Sequence, residues 1–377
     1  MPTVDAADLE GFVTDLVRAT GADGDVATQV AESLVLANLR GHESHGVRRL
    51  PMYWAWSRNE GDAALPVDPG ARPDLERLAP TAAQVDGHSA YGQFVGRTAT
   101  DELVDLASDS GVGVVGIRDA SHLGRIGEWA ERVADADLLF GAFVGTQGGR
   151  LVAPPGSAER RYSTNPLAFG VPTFDGLDHP VVLDMATSQV AHGKVRERIP
   201  EDEPLETAWT VRDDGSAVTD AASFTREGAG ALLPLGGRDS GYKGFGLAMI
   251  AELFGSIAGD GLVVSESERS RGNAAMFVAA DPTLFTAEAA IADRAASLAA
   301  YIQETAFSSD VPAGAAAVGD EAMLPGEIEY RTTADRRREG IPLPDADAAE
   351  LMALAVELGV TPSEAIRDAL GYPATDR

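Results

Sequence analysis

The feature that most constrains the fold of this chain is a regular alternation of strand-like and helix-like segments between residues 83 and 144. Short apolar runs at 83–85, 112–117 and 138–144 have the composition of strands, and the longer segments between them, 92–110 and 123–136, have the periodicity of helices. Strands that alternate with helices in this way build layered α/β domains, in which helices cover a sheet. We therefore predict an α/β fold for the middle of the chain.

Further along, the pattern becomes richer in strands. Apolar runs at 167–171, 181–183 and 274–279 predict strands, and residues 244–257 predict an apolar helix that contains glycine. Turns rich in proline, glycine and asparagine separate these segments. Proline and glycine also recur without periodicity at 61–80, which predicts a linker.

Both ends of the chain are predicted to be helical. Residues 6–40 predict two amphipathic helices, with Asp5 as the N-cap of the first and Gly21 as its stop. Three more segments have helical periodicity: 287–305, 345–358 and 363–370. We expect a helical subdomain built from both ends, with this division of the chain: 1–75 as its N-terminal part, 76–282 as the α/β domain and 283–377 as its C-terminal part.

The charge of the chain excludes one class of partner. A formal net charge of −29 argues against nucleic acid, whose phosphates would be repelled. The acid is dispersed, and Lys194 and Lys243 are the only lysines, so every other basic residue is arginine. Dispersed acid with almost no lysine predicts adaptation to high salt, where screening weakens the self-repulsion. The two remaining lysines are candidates for specific roles.

Cysteine content and hydropathy set the expected compartment. The chain has no cysteine, which excludes disulfides and thiolate chemistry. No apolar run has membrane-spanning length, and the first residues lack the basic and apolar regions of a signal peptide. The expected location is the cytoplasm, with no membrane partner.

A polar cluster at residues 40–52 is the first candidate for a functional site. It contains two imidazoles, a carboxylate, a hydroxyl and several guanidinium groups. A proton-transfer group beside anion-binding groups suits chemistry on a small hydroxy or keto acid. The alternative is a polar turn in which the histidines merely cap helices. A metal site is not expected, because no second cluster of ligands matches His42 and His45.

The glycine string at 111–116 matches the dinucleotide-binding fingerprint as letters, but its context is wrong. The glycines follow a predicted helix and lie inside a predicted strand, whereas a phosphate-binding turn follows a strand and opens a helix. We therefore do not predict a Rossmann fold, and we expect Gly113 to be a close-packing position.

Better candidates stand where strands end. His122 follows the strand 112–117, and residues 184–188 end another apolar strand, at the sheet edge where α/β proteins bind ligands. Capping of the next helix is the alternative for both. Residues 241–246 open a glycine-rich helix, so its N–H groups and Lys243 could hold an anionic phosphate. The alternative is a helix start packed on the sheet, with Lys243 solvated.

Five motifs occur together in a fixed order, at residues 41–49, 163–166, 184–188, 242–244 and 324–327. In this combination the chain resembles the type-2 malate/L-lactate dehydrogenase family, over residues 5–345. That family also includes ureidoglycolate and sulfolactate dehydrogenases, diketogulonate reductase and cyclic imino-acid reductases.

The resemblance implies a nicotinamide-dependent oxidoreductase. Its cofactor domain is expected to be non-Rossmann, a mixed and largely antiparallel sheet covered by helices, in residues 76–282. The cofactor would be NAD or NADP, with NAD favoured. The resemblance also implies a homodimer with the active site near the subunit interface.

The resemblance assigns roles to individual residues. His122 and His45 match the family histidines proposed as proton donor or acceptor, with His122 preferred, and Arg49 and Arg271 are the expected substrate-binding residues. The positions expected to contact the cofactor are Thr146, Asp184, Met185, Ala186, Lys243, Gly326, Glu327 and Ile328. The chain departs from the family at Ser163, where glycine is usual before the threonine, and after Gly272, where a polar residue is often found.

The reaction we expect is hydride transfer between C2 of a small 2-hydroxy acid and the nicotinamide ring. One alternative is reduction of a cyclic imino acid or a sugar keto acid on the same scaffold. An alternative of another class is a non-catalytic protein that keeps the ligand pocket.

Overall fold

A mixed sheet lies at the centre of the computed structural model, which describes residues 1–60, 66–267, 270–308, 317–318 and 321–372. The strands are β1 (Thr3–Val4), β2 (Asp74–Ala79), β3 (Ala82–Asp86), β4 (Val112–Ala120), β5 (Leu139–Thr146), β6 (Leu167–Val171), β7 (Val181–Met185), β8 (Thr210–Val211), β9 (Ala231–Leu232), β10 (Asn273–Ala280), β11 (Ala317–Val318), β12 (Glu321–Ala322) and β13 (Ile341–Pro342). Seven of them form the central sheet, in the order β2-β3-β4-β10-β5-β6-β7. All neighbours in it are antiparallel except β3 and β4. The predicted α/β fold with a mixed, largely antiparallel sheet is confirmed.

Helices cover both faces of this sheet. The helices in the described residues are α1 (Ala6–Ala19), α2 (Gly24–Leu39), α3 (Leu50–Ser57), α4 (Gly92–Ser110), α5 (Ile126–Ala134), α6 (His192–Glu201), α7 (Ala221–Arg226), α8 (Gly237–Gly259), α9 (Glu288–Gln303), α10 (Glu327–Glu339), α11 (Asp345–Leu358) and α12 (Glu364–Leu370). Helices α4 and α5 pack on one face, where Trp129 is fully buried with Phe140 and Phe277. On the other face, α8 packs over β4, β5 and β10, with Phe254 against Phe143.

The glycine string at 111–116 serves packing. Gly111 ends α4 in the left-handed conformation, at φ 79°. Inside β4, a Cβ on Gly116 would lie 1.8 Å from the carbonyl oxygen of Ala258 in α8, and one on Gly113 would meet Leu106 at 3.0 Å. These glycines let a helix approach each face of the strand closely, as the prediction for Gly113 requires.

The helices at the two ends of the chain share one hydrophobic core. Leu16 of α1, Leu34 of α2, Leu351 of α11 and Ile366 of α12 are all fully buried in it, and β1 pairs with β13. The carboxylate of Asp5 accepts hydrogen bonds from the first turn of α1, as predicted for an N-cap. Helix α9 packs elsewhere, against residues 174–176 between β6 and β7. The division at residues 75 and 282 stays a prediction.

The predicted linker at 61–80 is partly wrong. Residues 61–65 lie outside the described residues, but Asp74–Ala79 form β2, an edge strand. All six of its residues are exposed, including Leu75 and Leu78. The segment therefore lacks the alternation of buried and exposed residues that identifies a strand in a sequence. In the part of the chain that the structure describes, no helix is both long and apolar enough to cross a membrane.

Candidate active site

The strand order brings three predicted site segments to one edge of the sheet. Strands β4, β5 and β7 run in the same direction, because each is separated from the next by one antiparallel strand. Their carboxyl ends therefore lie at the same edge. His122 follows β4, Thr146 ends β5, and Asp184 lies near the end of β7.

The two candidate histidines lie face to face at this edge. Their ring centroids are 5.5 Å apart and the rings are stacked, although His45 comes from the turn after α2 and His122 from the end of β4. The Tyr53 hydroxyl lies 2.8 Å from Nδ1 of His122, and Oγ of Ser44 lies 3.0 Å from Nδ1 of His45. Within the described residues neither Nε2 has a hydrogen-bond partner, so each ring presents one nitrogen to a ligand.

Glycines and buried amides hold this pair in place. A Cβ on Gly46 would overlap the side chain of Asn38, whose Oδ1 accepts the backbone N–H of Val47 at 2.8 Å. The start of α4 lies directly against the other histidine, since a Cβ on Gly92 would be 2.1 Å from the carbonyl oxygen of His122. Both histidine backbones are therefore fixed by close contacts with neighbouring helices.

Both histidines are neutral at physiological pH. Burial lowers the pKa of His45 and of His122 well below the usual histidine value, and the positive charge of Arg49 lowers both further. Burial also raises the pKa of Tyr53 to about 12, so its hydroxyl stays protonated beside His122. A neutral imidazole can accept a proton from a ligand hydroxyl.

Arg49 supplies an anion-binding group next to the histidines. Its Nε donates to the backbone oxygen of Ser44, and its Nη1 lies 3.8 Å from Sδ of Met52. Among the described residues it forms no ion pair with a carboxylate. A partly buried guanidinium without a carboxylate partner is a suitable site for an anionic ligand.

Within the described residues, the Arg271 side chain forms no hydrogen bond with His45, His122 or Arg49. Arg271 lies just before β10, at the same sheet edge, where its backbone N–H donates to Gln147. Its exposed side chain reaches Oγ of Ser267 at 3.3 Å. The structure therefore brings His45, His122 and Arg49 together, and the role of Arg271 in substrate binding stays a prediction.

The predicted cofactor positions lie along β7 and at the end of β5. The backbone N–H of Thr146 donates to Oδ1 of Asn165, and the hydroxyl of Thr187 donates to the backbone oxygen of Asn165, which links the ends of β5 and β7. Near the start of β7, the N–H of Val182 donates to the backbone oxygen of Pro325, immediately before Gly326. Asn165, which lies in the 163–166 motif of the sequence, is thus a buried link between the two strands.

Two acidic residues in this group have internal partners. Oδ2 of Asp184 accepts the N–H of Gly127 at 2.7 Å, and so caps the first turn of α5. Glu327 is buried, accepts the N–H of Leu324 and pairs with Arg331 at 2.6 Å. A ligand at β7 would therefore meet the partly exposed Met185 and Ala186, and the backbone of Asp184, in preference to these carboxylates.

Lys243 lies close to the end of β7. Helix α8 begins at Gly237, before the predicted start, but Ser240 has non-helical backbone angles, so Lys243 lies in the first turn after the interruption. The N–H of Gly244 donates to Leu235, and the N–H of Leu235 donates to Thr187. The Lys243 side chain is exposed and has no acidic partner in the described part of the chain, whereas Lys194 pairs with Glu197 at 3.4 Å.

The start of α6 adds residues that the sequence patterns did not reveal. A Cβ on Gly193 would lie 2.5 Å from Cβ of Ser44 and 3.8 Å from Nη2 of Arg49, so this helix closes one side of the site. Burial and the charge of Arg196, followed by those of Arg49 and Arg160, lower the pKa of His192 to about 3. The only sequence signal for this segment was its place after the strand that ends near Asp184.

Comparison with known proteins identifies relatives along most of the chain. The family model for malate/L-lactate dehydrogenase matches residues 4–352. Hydroxycarboxylate dehydrogenase B of Escherichia coli O157:H7 is 29% identical, over 96% of this chain and 96% of its own length. Delta(1)-pyrroline-2-carboxylate reductase of Ancylobacter novellus is 30% identical, over 92% of this chain and 96% of its own.

Comparison with solved structures also identifies relatives of this chain. The structure of malate dehydrogenase from Pyrococcus horikoshii superposes with a TM-score of 0.81 at 27% identity, covering 96% of this chain and 97% of that one. Sequence and fold therefore agree over nearly the whole length. The chain belongs to the malate/L-lactate dehydrogenase family.

Proposed function

We propose that this protein is a nicotinamide-dependent dehydrogenase that interconverts a small 2-hydroxy acid and the corresponding 2-oxo acid. The observation that carries the proposal is the stacked pair of neutral histidines beside Arg49, a guanidinium with no carboxylate partner in the described residues. Arg49 binds the substrate carboxylate through paired hydrogen bonds and fixes C2 close to the histidines.

His122 is the proposed proton acceptor in oxidation. The hydrogen on C2 leaves as hydride, with the electron pair of the C2–H bond. The hydroxyl proton passes to Nε2 of His122, and the C2 carbonyl forms. In reduction the same nitrogen returns the proton to the carbonyl oxygen. Tyr53 holds the opposite side of the ring through Nδ1. His45, stacked on His122, is the alternative proton carrier.

The residues around β7 fit a dinucleotide cofactor. The side chain of Lys243 is exposed, and a Cβ on Gly237 would lie 3.7 Å from the unpartnered buried Oε1 of Gln189. These groups offer a cation and a polar atom to an anionic, hydrogen-bonding ligand. A bound nicotinamide cofactor would supply the hydride acceptor for oxidation and the hydride donor for reduction. We propose cofactor contacts at Thr146, at 184–186, at Lys243 and at 326–328, and favour NAD over NADP.

We also propose a homodimer, formed through the outer face of α8 and the adjoining surface of β6 and β7. This face exposes Leu253 and Ile257 of α8, together with Phe169 and Leu183 of the two strands. An apolar surface of this kind is typical of a subunit interface. Light scattering of Ile257→Asp should report a monomer if this surface forms the dimer, and an unchanged mass would contradict it.

A second candidate activity is reduction of a cyclic imino acid. The Ancylobacter novellus relative with that name is 30% identical over most of the chain. Such a substrate also carries a carboxylate next to the carbon that receives hydride, so Arg49 and His122 would keep their roles.

A substrate screen tests the proposal and separates the candidates. Purified protein is mixed with NAD or NADP and a series of 2-hydroxy acids, and in the reverse direction with reduced cofactor and 2-oxo acids or cyclic imino acids. Absorbance of the reduced nicotinamide is followed in each case. Turnover of hydroxy acids supports the proposed dehydrogenase, and turnover of imino acids alone supports the second candidate. No turnover with any of them would indicate a non-catalytic protein.

A further inference from the structure

Two guanidinium groups from different parts of the fold meet at one side chain beside the candidate active site. Nη1 of Arg49 lies 3.8 Å from Sδ of Met52, and Nη1 of Arg196 lies 3.6 Å from the same sulfur. Arg49 precedes α3, and Arg196 lies on α6. The two positive charges are thus held on either side of a thioether.

Neither of these arginines has an acidic partner among the described residues. A thioether sulfur is only a weak hydrogen-bond acceptor and cannot neutralise a guanidinium. The neighbouring residues behave differently, because Arg48 pairs with Glu197 at 3.5 Å and with Asp347 at 3.3 Å. Glu197 and Asp347 therefore pair with Arg48, and Arg49 and Arg196 remain available to a ligand.

The surroundings add positive charge, while the carboxylates of Glu350 and Glu197 act on Arg196 and Arg49 without forming an ion pair with either in the described residues. His192 lies one turn before Arg196 on α6, and the charges of Arg196, Arg49 and Arg160 all disfavour its protonation. The side chain of Arg160 donates to backbone oxygens at Gly230 and Phe224. In a chain with 59 acidic and 30 basic residues, such a group of cations marks a local preference for anions.

A carboxylate that Arg49 holds through paired hydrogen bonds has both of its oxygens directed at that guanidinium. The carboxylate next to C2 occupies Arg49 in the proposed function, because Arg49 is the arginine beside the histidines. Arg196 then remains unpaired unless the substrate carries a second anionic group. Arg196 is itself exposed, so a ligand can reach it.

We infer that Arg196 binds a second anionic group of the substrate, and that the enzyme prefers dianionic 2-hydroxy and 2-oxo acids over monocarboxylic acids. The second group is a carboxylate or a sulfonate at the far end of a short chain, and Met52 packs against the carbons between the two charges. This inference rests on the proposed function, since it uses Arg49 as the site of the first carboxylate. Arg196 is a residue that determines specificity.

The kinetic experiment compares malate, sulfolactate and lactate in wild-type protein, Arg196→Ala, Arg196→Lys and the control Lys194→Ala. We expect Arg196→Ala to lower kcat/KM for malate about ten- to a hundredfold, the effect of losing a charge-assisted hydrogen bond, and to leave lactate nearly unchanged. Arg196→Lys should recover part of the loss. Lys194 lies on the same helix but pairs with Glu197, so Lys194→Ala should behave like wild type.

The relative effect on malate and sulfolactate identifies the second group as carboxylate or sulfonate. Equal losses for malate and lactate, or no loss for any dianion, would overturn the inference. A binding measurement covers the case in which no acid is turned over. Calorimetric titration with succinate and with butyrate should show tighter binding of succinate to wild type, and Arg196→Ala should remove the difference. No turnover with retained succinate preference would count against the proposed function alone, and equal binding of the two acids would reject the role of Arg196.

Discussion

The charge of Arg49 acts on both candidate histidines. It lies close enough to lower the pKa of His45 and of His122, and burial lowers them further. A substrate carboxylate bound to Arg49 would offset this charge and favour protonation of the nearby ring. The same residue therefore binds the substrate and couples that binding to the proton affinity of the histidines.

The roles of the two histidines can be separated by mutation. His122→Ala should reduce turnover about 10²–10⁴-fold if this residue transfers the proton, with cofactor affinity nearly unchanged. His45→Ala should have the smaller effect, because His122 is the ring held by Tyr53, whose hydroxyl accepts a hydrogen bond from Gln93. Steady-state rates and cofactor titrations on both variants decide the order. A larger loss in His45→Ala would assign the proton transfer to His45, and two nearly silent variants would rule out the mechanism.

The pH dependence of oxidation follows from the lowered pKa values. The base must be neutral, and a histidine whose pKa is lowered stays neutral further into the acid range. kcat/KM for a hydroxy acid should therefore stay constant as the pH falls through 6.5, the ordinary histidine value, and decline only below it. Arg49→Gln removes a positive charge, which favours protonation and should move this decline to higher pH. A decline in wild type centred at or above 6.5 would contradict the assignment of a low-pKa base.

At the scale of secondary structure elements, patterned segments could be predicted and unpatterned ones could not. The helices α1, α2 and α11 have apolar faces that pack in one core, and their periodicity identified them. Helix α10 consists mostly of polar residues, so no apolar periodicity marks it, and it follows Gly326, whose φ is 90°. Edge strand β2 has no buried face. Elements fixed by tertiary contacts alone leave little trace in the sequence.

The candidate site could also be predicted only in part from the sequence. The rule that ligands bind at strand ends identified His122 and residues 184–188 from the sequence alone. The stacking of His122 on His45 depends on how the turn after α2 meets the sheet, and no local pattern contains that information. Arg196 was missed for a similar reason, because its position beside Met52 depends on how α6 packs against the turn 43–45.

The predicted role of Lys243 depends on its position near the start of a helix. If the cofactor's phosphates or ribose lie there, Lys243→Ala should weaken dinucleotide binding by the value of a charge-assisted hydrogen bond, roughly 1.5–3 kcal/mol or about ten- to a hundredfold in Kd. Lys243→Arg should recover only part of this affinity, because the planar guanidinium group fits a site for a compact ammonium group poorly. The control is Lys194→Arg, whose native lysine pairs with Glu197. Titration of the fluorescence of the reduced cofactor gives each Kd, and an unchanged value in Lys243→Ala would remove this residue from the cofactor site.

At the scale of the whole molecule, the net charge of −29 destabilises the folded state through repulsion among the excess acidic groups. Surface arginines do form ion pairs, such as Arg72 with Asp23 and Asp25, but pairs this exposed contribute little to stability. Salt weakens these pairs and also weakens the repulsion among the excess acids. Because acids outnumber bases about two to one, the loss of repulsion should dominate.

We therefore propose that the protein is adapted to high salt and that folding and dimerisation are stabilised by molar KCl. Thermal melts should show a clearly higher midpoint in molar KCl than in dilute buffer, and light scattering should show a larger dimer fraction. Sucrose is the control, because it is excluded from the protein surface without screening charge. The KCl effect should exceed that of sucrose and should already develop below about 1 M, where the Debye length falls from about 10 Å at 0.1 M to about 3 Å. Equal midpoints in dilute buffer and molar KCl would show that the dispersed acid has no such role.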